Sequence, residues 1–324
     1  MRSVSQIPRL LLVLLAGACQ SGTSHDAAPK RTFRFAYTVN VPVPTDGTKT
    51  LDIWVPLAQT DPGVQRVSDV VIHAPTGYSV NTEAAYGNKM IHARINNPSD
   101  VTKISWSATI ERWEDHGQGS LGTDERFLRS NHRISIKGKA SEMAVELGVS
   151  GSGDVHNRAK VIYNDVLSGM VYDKKHSGWG KGDFVHATTV CKGNCTDFHS
   201  RFIGVGRAAG IPVRFTMGIP MKPMAKGEHN GYHCWAHYHD GKSWHPVDIS
   251  EADKVSEQDP TKAEWFFRHL DQHRVSVTFG RDIDLAPKQA EPALNYFVFP
   301  YAEADGKPVE MDKPYWKFTY EDVN

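Results

Sequence analysis

The sequence lacks an excess of charge of either sign. Lysine plus arginine and aspartate plus glutamate both number 37, so the formal net charge of the 324-residue chain is zero. Without bulk positive charge the surface has no general attraction for a phosphate backbone, and nucleic-acid binding is therefore excluded as the main activity. Beyond the N-terminal segment, the sequence also lacks an apolar run of the roughly 20 residues that a transmembrane helix needs.

Cysteine is scarce, with four residues in the chain, and the first of them closes an export signal. Arg2 and Arg9 precede an apolar run at residues 10–15, and the small triplet at residues 16–18 leads directly to Cys19. This pattern predicts a signal peptide over residues 1–18 and export to the periplasm or cell envelope. It favours a lipoprotein signal, with Cys19 lipidated, residues 19–30 as a tether and the membrane as a partner. Ordinary cleavage after Ala18 is the alternative.

The three cysteines that remain are Cys191, Cys195 and Cys234. In an oxidising compartment an odd number leaves at least one free thiol or an intermolecular bond. The count is therefore the first indication of a reactive cysteine.

The first half of the mature chain reads as strands and turns. Polar and apolar residues alternate, as in strands with one buried face, over residues 32–37, 50–55, 70–72 and 104–110. This pattern predicts a β-sandwich-like domain over residues 31–130.

The second half changes character and predicts an α+β domain over residues 131–285. An amphipathic stripe predicts a helix over residues 155–170, and a second helix is expected over 196–209 with its apolar residues on one face. The remaining elements predicted are strands at 213–217, 235–239, 243–247 and 274–279 and a short helix at 264–270. Residues 286–324 are treated as a C-terminal extension, and the fold class is α+β.

Cys195 lies directly at the predicted start of the second helix, after Gly193 and Asn194. The unpaired N–H groups and the dipole at a helix start stabilise an anion, so a thiolate is favoured there. The same N–H groups can bind the oxyanion of a tetrahedral intermediate. Gly193 is expected to allow a sharp turn that presents the sulfur at the surface.

His233 is the candidate base for this thiol. His233, Trp235 and His237 alternate along a predicted strand and share one face. Asp248 ends the next strand across the turn at Asp240, which brings its carboxylate beside His233. A carboxylate there fixes the imidazole tautomer and stabilises the imidazolium.

Four motifs in this order resemble the transglutaminase-like superfamily over residues 135–280. They are a glycine two residues before Cys195, the segment 207–214 that ends in Ile-Pro-Val-Arg, His233-x-Trp235, and Trp244-x-Pro-Val-Asp248. The resemblance implies a papain-like α+β catalytic domain that follows a β-rich domain. It also implies Cys195 as the nucleophile, His233 as the general base and acid, and Asp248 as the orienting residue. No cofactor or metal is expected, since no loop spaces acidic residues as a calcium site requires.

Further residues are expected to line or support the cleft: Asn194, Trp235, Trp244, Trp179, Arg214 and His237. Arg214 matches a structural arginine of the superfamily. His237 stands where members carry an acidic residue, which implies a change in substrate preference. The expected reaction is acyl transfer on a peptide or glutamine-type amide through a thioester, with hydrolysis favoured over transamidation and a peptide or protein as substrate.

Two other classes of function remain as alternatives. A zinc site could use some of the cysteines and histidines at 191, 195, 199, 233, 234, 237 and 239, although neither cysteine pair has the usual Cys-x-x-Cys spacing. The same fold could also act as an inactive binding module. For Cys191 and Cys234 the preferred role is a mutual disulfide that joins the nucleophile loop to the histidine strand.

Overall fold

The computed structural model describes residues 28–42, 47–75, 77–117, 122–311 and 315–323. The predicted signal peptide, most of the tether and Cys19 lie outside these residues. Within them, no helix is both long and apolar enough to cross a membrane.

The described residues form sixteen strands, six α-helices and a short 3-10 helix at Glu125–Leu128. The strands are β1 (Lys30–Val41), β2 (Thr50–Pro56), β3 (Gln65–His73), β4 (Ser79–Thr82), β5 (Lys89–Asn96), β6 (Thr102–Trp113), β7 (Val171–Tyr172), β8 (Lys192–Gly193), β9 (Val213–Pro220), β10 (Lys226–His229), β11 (His233–His239), β12 (Trp244–Val247), β13 (Arg274–Phe279), β14 (Tyr301–Ala304), β15 (Lys307–Pro308) and β16 (Trp316–Asp322). The helices are α1 (Lys139–Glu146), α2 (Val155–Gly169), α3 (Phe184–Val190), α4 (Cys195–Ala208), α5 (Ile249–Val255) and α6 (Pro260–Trp265).

Two five-stranded antiparallel sheets form the β-rich region, in the orders β10-β16-β1-β6-β3 and β15-β14-β2-β5-β4. The alternation in β1 buries Phe33, Phe35 and Tyr37 on one face, as expected of a strand that covers a core. The indole Nε1 of Trp106 in β6 donates to the carbonyl of Pro56 in β2 at 3.0 Å, which links the two sheets. The sandwich-like arrangement agrees with the sequence prediction.

The C-terminal segment is an integral part of these sheets. β16 pairs with β1 over the register Phe33↔Asp322 to Val39↔Trp316, and β14 pairs with β2. From the sequence alone this segment is treated as an extension, because the strands with which β14 and β16 pair lie more than 200 residues earlier in the chain. β10, from the second half of the chain, adds the edge strand next to β16.

A four-stranded sheet in the order β12-β11-β9-β13 forms the centre of the second half, and α4 packs against its β11 and β9 strands. Burial is not confined to the apolar face expected of α4, since every residue from Cys195 to Arg207 is buried. The sheet covers one side, and helices α1, α2, α3 and α5 cover the others. A helix surrounded by protein needs no solvent-facing stripe.

The predicted helix at residues 264–270 is displaced in the structure. α6 instead begins at Pro260, where Asp259 caps the first turn by accepting from the backbone N–H of Lys262. Proline at the first helical position is preorganised for this start. The helix ends at Trp265, and Arg268 has a left-handed backbone with φ 79°, which a continuing helix cannot contain.

Buried polar contacts join the β-rich region to the four-stranded sheet. Arg214 in β9 donates to Asp61 at 2.9 Å, and both side chains are at most 2% exposed. The amide of Gln65 exchanges hydrogen bonds of 2.8 and 2.9 Å with the backbone of Ser276 in β13. A single hydrophobic cluster also runs through both halves. The two halves therefore stabilise each other.

We expect Asp61→Asn to lower the free energy of unfolding by about 3–5 kcal/mol, because it leaves the Arg214 guanidinium buried without its counter-charge. Urea unfolding followed by tryptophan fluorescence measures the change. The matched control is Asp284→Asn, which removes an exposed ion pair with Lys288 and should cost less than about 1 kcal/mol. Equal effects of the two substitutions would contradict this account.

Candidate active site

Cys195 is the first residue of α4, as the sequence predicts, and its N-cap is Asn194. The Asn194 side chain accepts from the N–H of Thr196 at 2.9 Å and donates to the hydroxyl of Tyr232 at 2.9 Å. The expectation that the sulfur is presented at the surface is wrong, because Cys195 is 3% exposed. The thiol therefore lies at a helix start but at the base of a cavity, where burial strengthens electrostatic interactions.

Gly193 is required for close packing rather than for a turn. Its backbone is not in the left-handed region, but a Cβ there would lie 2.2 Å from Oδ2 of Asp197. The buried Asp197 carboxylate accepts from the backbone N–H groups of Asn194, Gly180 and Gly182 at 2.7–2.9 Å. One carboxylate thus holds both the turn before Cys195 and the glycine-rich loop that carries Trp179.

His233 begins β11, and its Nε2 lies 2.7 Å from Oδ2 of Asp248. Asp248 follows β12 and is the N-cap of α5, where its Oδ1 accepts from the N–H of Glu251 at 3.2 Å. Because Nε2 of His233 bonds to Asp248, Nδ1 is the imidazole nitrogen available to Cys195. The structure thus brings the three predicted residues together.

Arg274 and Trp235 contact the His233–Asp248 pair. Arg274 Nη1 donates to the same Asp248 oxygen at 2.9 Å, and its guanidinium lies 5.0 Å from the centre of the Trp235 ring. Trp235 is fully buried and lies beside His233, with ring centroids 6.2 Å apart. Packing on both sides fixes the orientation of the imidazole and the carboxylate.

His199 lies one helical turn after Cys195 and is fully buried. Its Nε2 accepts from the N–H of Ile249 at 3.2 Å, which assigns the proton to Nδ1, and Nδ1 then donates to the carbonyl of Cys195 at 2.7 Å. Burial lowers the pKa of His199, so this histidine is neutral and ties α4 to the start of α5.

The electrostatics of the pair favour a thiolate and an imidazolium. Hydrogen bonds from Cys234 and His233, together with the charge of His233, hold the pKa of Cys195 well below that of an ordinary thiol, against the opposing effect of burial. Burial alone would lower the pKa of His233, but the charge and hydrogen bond of Asp248 and the contact with Cys195 raise it to about 10. Shifts of this kind are typical of catalytic groups.

Cys195 and His233 line a cavity of about 450 Å³. The cavity is also lined by Asn194, the aromatic residues Tyr172, Trp179, Tyr232 and Phe299, and the charged residues Lys174, Glu251 and Lys254. Trp179 therefore lies in the cleft, as expected, and is 38% exposed. A cavity of this size, with aromatic walls and a few charged groups, is typical of a ligand-binding site.

Trp244 and His237 do not line this cavity, contrary to the sequence-based expectation. Trp244 borders a separate cavity of about 170 Å³ together with Arg214 and Phe127. His237 is buried, and its Nε2 lies 3.0 Å from Oδ2 of Asp115. His237 shares a strand face with His233, as predicted, but residues of the β-rich region such as Asp115 cover that face at His237. Arg214 pairs with Asp61 and lies outside this cavity as well.

The predicted disulfide is absent, since Cys191, Cys195 and Cys234 are all free thiols. Cys191 Sγ contacts the carbonyl of Thr188 and the Arg201 guanidinium. Cys234 is fully buried beside Cys195, with its Sγ 3.8 Å from Thr196 Oγ1, because β11 directs it towards α4.

The alternative zinc ligands do not form a site either. Within the described ranges, one group of three His, Cys, Asp or Glu side chains has converging ligand atoms, and its members are His156, Asp240 and His245. None of them belongs to the set proposed from the sequence. His237 pairs with Asp115, and His239 packs against Trp244 with ring centroids 4.9 Å apart.

Sequence reasoning missed Arg274, Glu251 and Lys254. The pattern Asp248-x-x-Glu251 resembles a capping box and could have predicted the start of α5, with Glu251 and Lys254 on its cavity side. Arg274 opens a correctly predicted strand, but no local pattern indicates that it reaches Asp248. That contact depends on the pairing of β13 with β9.

Comparison with known proteins finds similarity over most of the chain. The chain is 27% identical to an "Uncharacterized protein" of Haemophilus influenzae, over 89% of this chain and 90% of the relative. Its fold is similar to a crystal structure from Cytophaga hutchinsonii named as a "Putative Cysteine Protease", with TM-score 0.55, 15% identity and coverage of 91% of this chain and 99% of that one. Residues 142–249 match the transglutaminase-like superfamily. These residues, about a third of the chain, hold Cys195, His233 and Asp248.

Proposed function

We propose that the protein is a cysteine-dependent amidase or peptidase of the cell envelope that acts through a thioester intermediate. The observation that carries the proposal is the buried His233–Asp248 hydrogen bond of 2.7 Å beside a thiol at a helix start. A nucleophile, a base and an orienting carboxylate in this order are the parts that acyl transfer requires.

In the proposed mechanism, the Cys195 thiolate attacks the amide carbonyl carbon, and the carbonyl π electrons move to oxygen. The backbone N–H of Cys195 lies in the first helical turn, where N–H groups lack intrahelical acceptors, and it stabilises the oxyanion. His233 Nδ1–H gives its proton to the amine as the C–N bond breaks, leaving a thioester. Water then attacks the thioester carbon while His233 Nδ1 takes its proton, and breaking of the C–S bond releases the acid and regenerates the thiolate–imidazolium pair.

We favour water over an amine as the second nucleophile. Water is abundant outside the cell, and Glu251 and two lysines add charged groups to the lining of the cavity. The substrate is a peptide or protein. Export, with Cys19 as a lipid anchor to the membrane, places the reaction in the periplasm or cell envelope. This part of the proposal depends on the pattern of residues 1–19.

A thiolate–imidazolium pair predicts an unusual pH dependence of alkylation. In the folded protein, iodoacetamide should label Cys195 at a nearly constant rate from below pH 7 to about pH 9, because the low pKa of Cys195 keeps it ionised and the high pKa of His233 keeps the imidazole charged. In His233→Ala the rate should instead rise through the ordinary thiol pKa of about 8.5.

Peptide mapping of the labelled protein gives the rate at each cysteine. Cys234 serves as an internal control, since burial raises its pKa and it should react slowly at every pH. If Cys195 in the wild-type protein also followed an ordinary thiol titration, the nucleophile would be unactivated, and the binding-module alternative would replace the proposed function.

Turnover tests the reaction itself. We expect the protein to cleave amides in a fluorogenic glutamine-containing peptide library, with Cys195→Ala inactive and Asp248→Asn slower by about 10³–10⁴-fold, because the imidazole loses its orienting charge. Cys191→Ala is the matched control, since Cys191 lies outside the cavity lining, and it should keep full activity. Mass spectrometry at low pH should detect the acyl-enzyme on Cys195.

Adding dansylcadaverine to the same assay distinguishes hydrolysis of the thioester from transamidation. Products that carry water-derived oxygen support hydrolysis, and incorporation of the dansyl amine in preference to water would overturn that choice. Turnover that persists in Cys195→Ala would contradict the cysteine mechanism altogether.

A further inference from the structure

A second cluster of chemically active side chains lies at the opposite end of the catalytic hairpin. His156 is the second residue of α2, Asp240 is in the turn between β11 and β12, and His245 is in β12. One imidazole nitrogen from each histidine and one carboxylate oxygen lie within 4.8 Å of one another. Tyr238, whose hydroxyl contacts His156, is five residues after His233 on β11. The cluster therefore lies about 17 Å along the strand from His233, the proposed base.

The distances match the edges of a small coordination polyhedron. Asp240 Oδ2 lies 3.3 Å from His156 Nε2 and 3.0 Å from His245 Nε2. Ligands about 2.0–2.1 Å from a tetrahedral zinc ion are about 3.3 Å from one another. The three ligand atoms therefore need little rearrangement to surround an ion.

The surroundings orient the ligands as metal sites do. Asp240 Oδ1 accepts from the backbone N–H groups of Lys242 and Ser243 at 2.7 and 2.8 Å, which leaves Oδ2 for the histidines. Nδ1 of His156 lies 2.8 Å from the hydroxyl of Tyr238. A ligating histidine characteristically uses its other ring nitrogen for such a bond, which fixes the tautomer and the direction of the lone pair.

Exposure and charge also suit a cation. The side chains are 30% exposed at His156, 16% at Asp240 and 7% at His245, so solvent can supply a fourth ligand. Two imidazoles and one carboxylate favour zinc and neighbouring transition metals over calcium or magnesium, which prefer oxygen ligands.

We propose that His156, Asp240 and His245 form a structural binding site for a divalent transition-metal ion such as Zn²⁺. Such an ion would join the start of α2 to the β11–β12 turn. The open end of this hairpin carries His233 and Asp248, so the metal would stabilise the domain without entering the reaction. This site is independent of the function proposed above.

The test measures zinc binding by isothermal titration calorimetry on the full chain after removal of metals with a chelator. The Cys195→Ala background prevents zinc from binding the reactive thiol. We expect one Zn²⁺ per chain and a rise in the thermal midpoint, because an ion that binds the folded state stabilises it. His156→Asn and Asp240→Asn should each weaken binding by about 10- to 100-fold.

The matched control is the double variant His73→Asn/His132→Asn, which removes two exposed histidines outside the cluster and should leave binding unchanged. Circular dichroism of each variant without metal checks that it folds. Co²⁺ gives a second measurement, since coordination by two imidazoles and a carboxylate should produce visible absorption that His156→Asn abolishes.

Three outcomes would overturn the proposal. They are no zinc binding in the Cys195→Ala protein at 100-fold molar excess, binding that folded His156→Asn and Asp240→Asn variants retain in full, and an equal loss in the double control. Each would show that the cluster is only a hydrogen-bond network or that zinc binds non-specifically to surface histidines.

Discussion

The position of the buried Asp248 carboxylate determines the geometry of the candidate active site. Its side chain is inaccessible to solvent, and an ionised carboxylate is stable there only when hydrogen bonds and opposite charges replace water. Oδ2 accepts from His233 and Arg274, and Oδ1 accepts from Glu251 and Ser250. These donors come from β11, β13 and α5. The imidazole therefore has one stable orientation, and its charge in turn stabilises the thiolate of Cys195.

The β-rich region contributes to the site by supporting β13, the strand that carries Arg274. Gln65 bonds to the backbone of Ser276 on both its N–H and its carbonyl, and Arg112 donates to the Ser276 hydroxyl at 3.1 Å. Ser276 borders the irregularity where β13 shifts its register against β9. A strand with interrupted pairing would leave backbone groups unsatisfied, and the β-rich region supplies their partners. The β-rich region therefore stabilises β13, the strand that carries Arg274.

Local sequence signals predicted Cys195, His233 and Asp248 as a set because each lies at the end of an element with its own pattern. The same signals could not separate His233 from His237, which alternate on one strand face. Asp115, 122 positions earlier, pairs with His237, and Arg112 lies over Trp235, so only the first residue of the strand reaches the cavity. For the same reason β16 was missed, since its pairing with β1 is fixed by contacts across almost the whole chain rather than by periodicity.

Gly193 is important, as expected from the sequence, but the physical reason expected for it is wrong. A glycine before the nucleophile suggested a tight turn, but the structure requires it because the Asp197 carboxylate occupies the space of its side chain. Asp197 needs that space to accept hydrogen bonds from N–H groups of both the turn before Cys195 and the loop around Trp179. A cavity wall and the helix that carries the thiol are therefore held by one buried charge. Since each of its oxygens is bonded to one of the two loop glycines, the loop cannot move away from Cys195 without breaking a charge-assisted hydrogen bond, which is stronger than a neutral one.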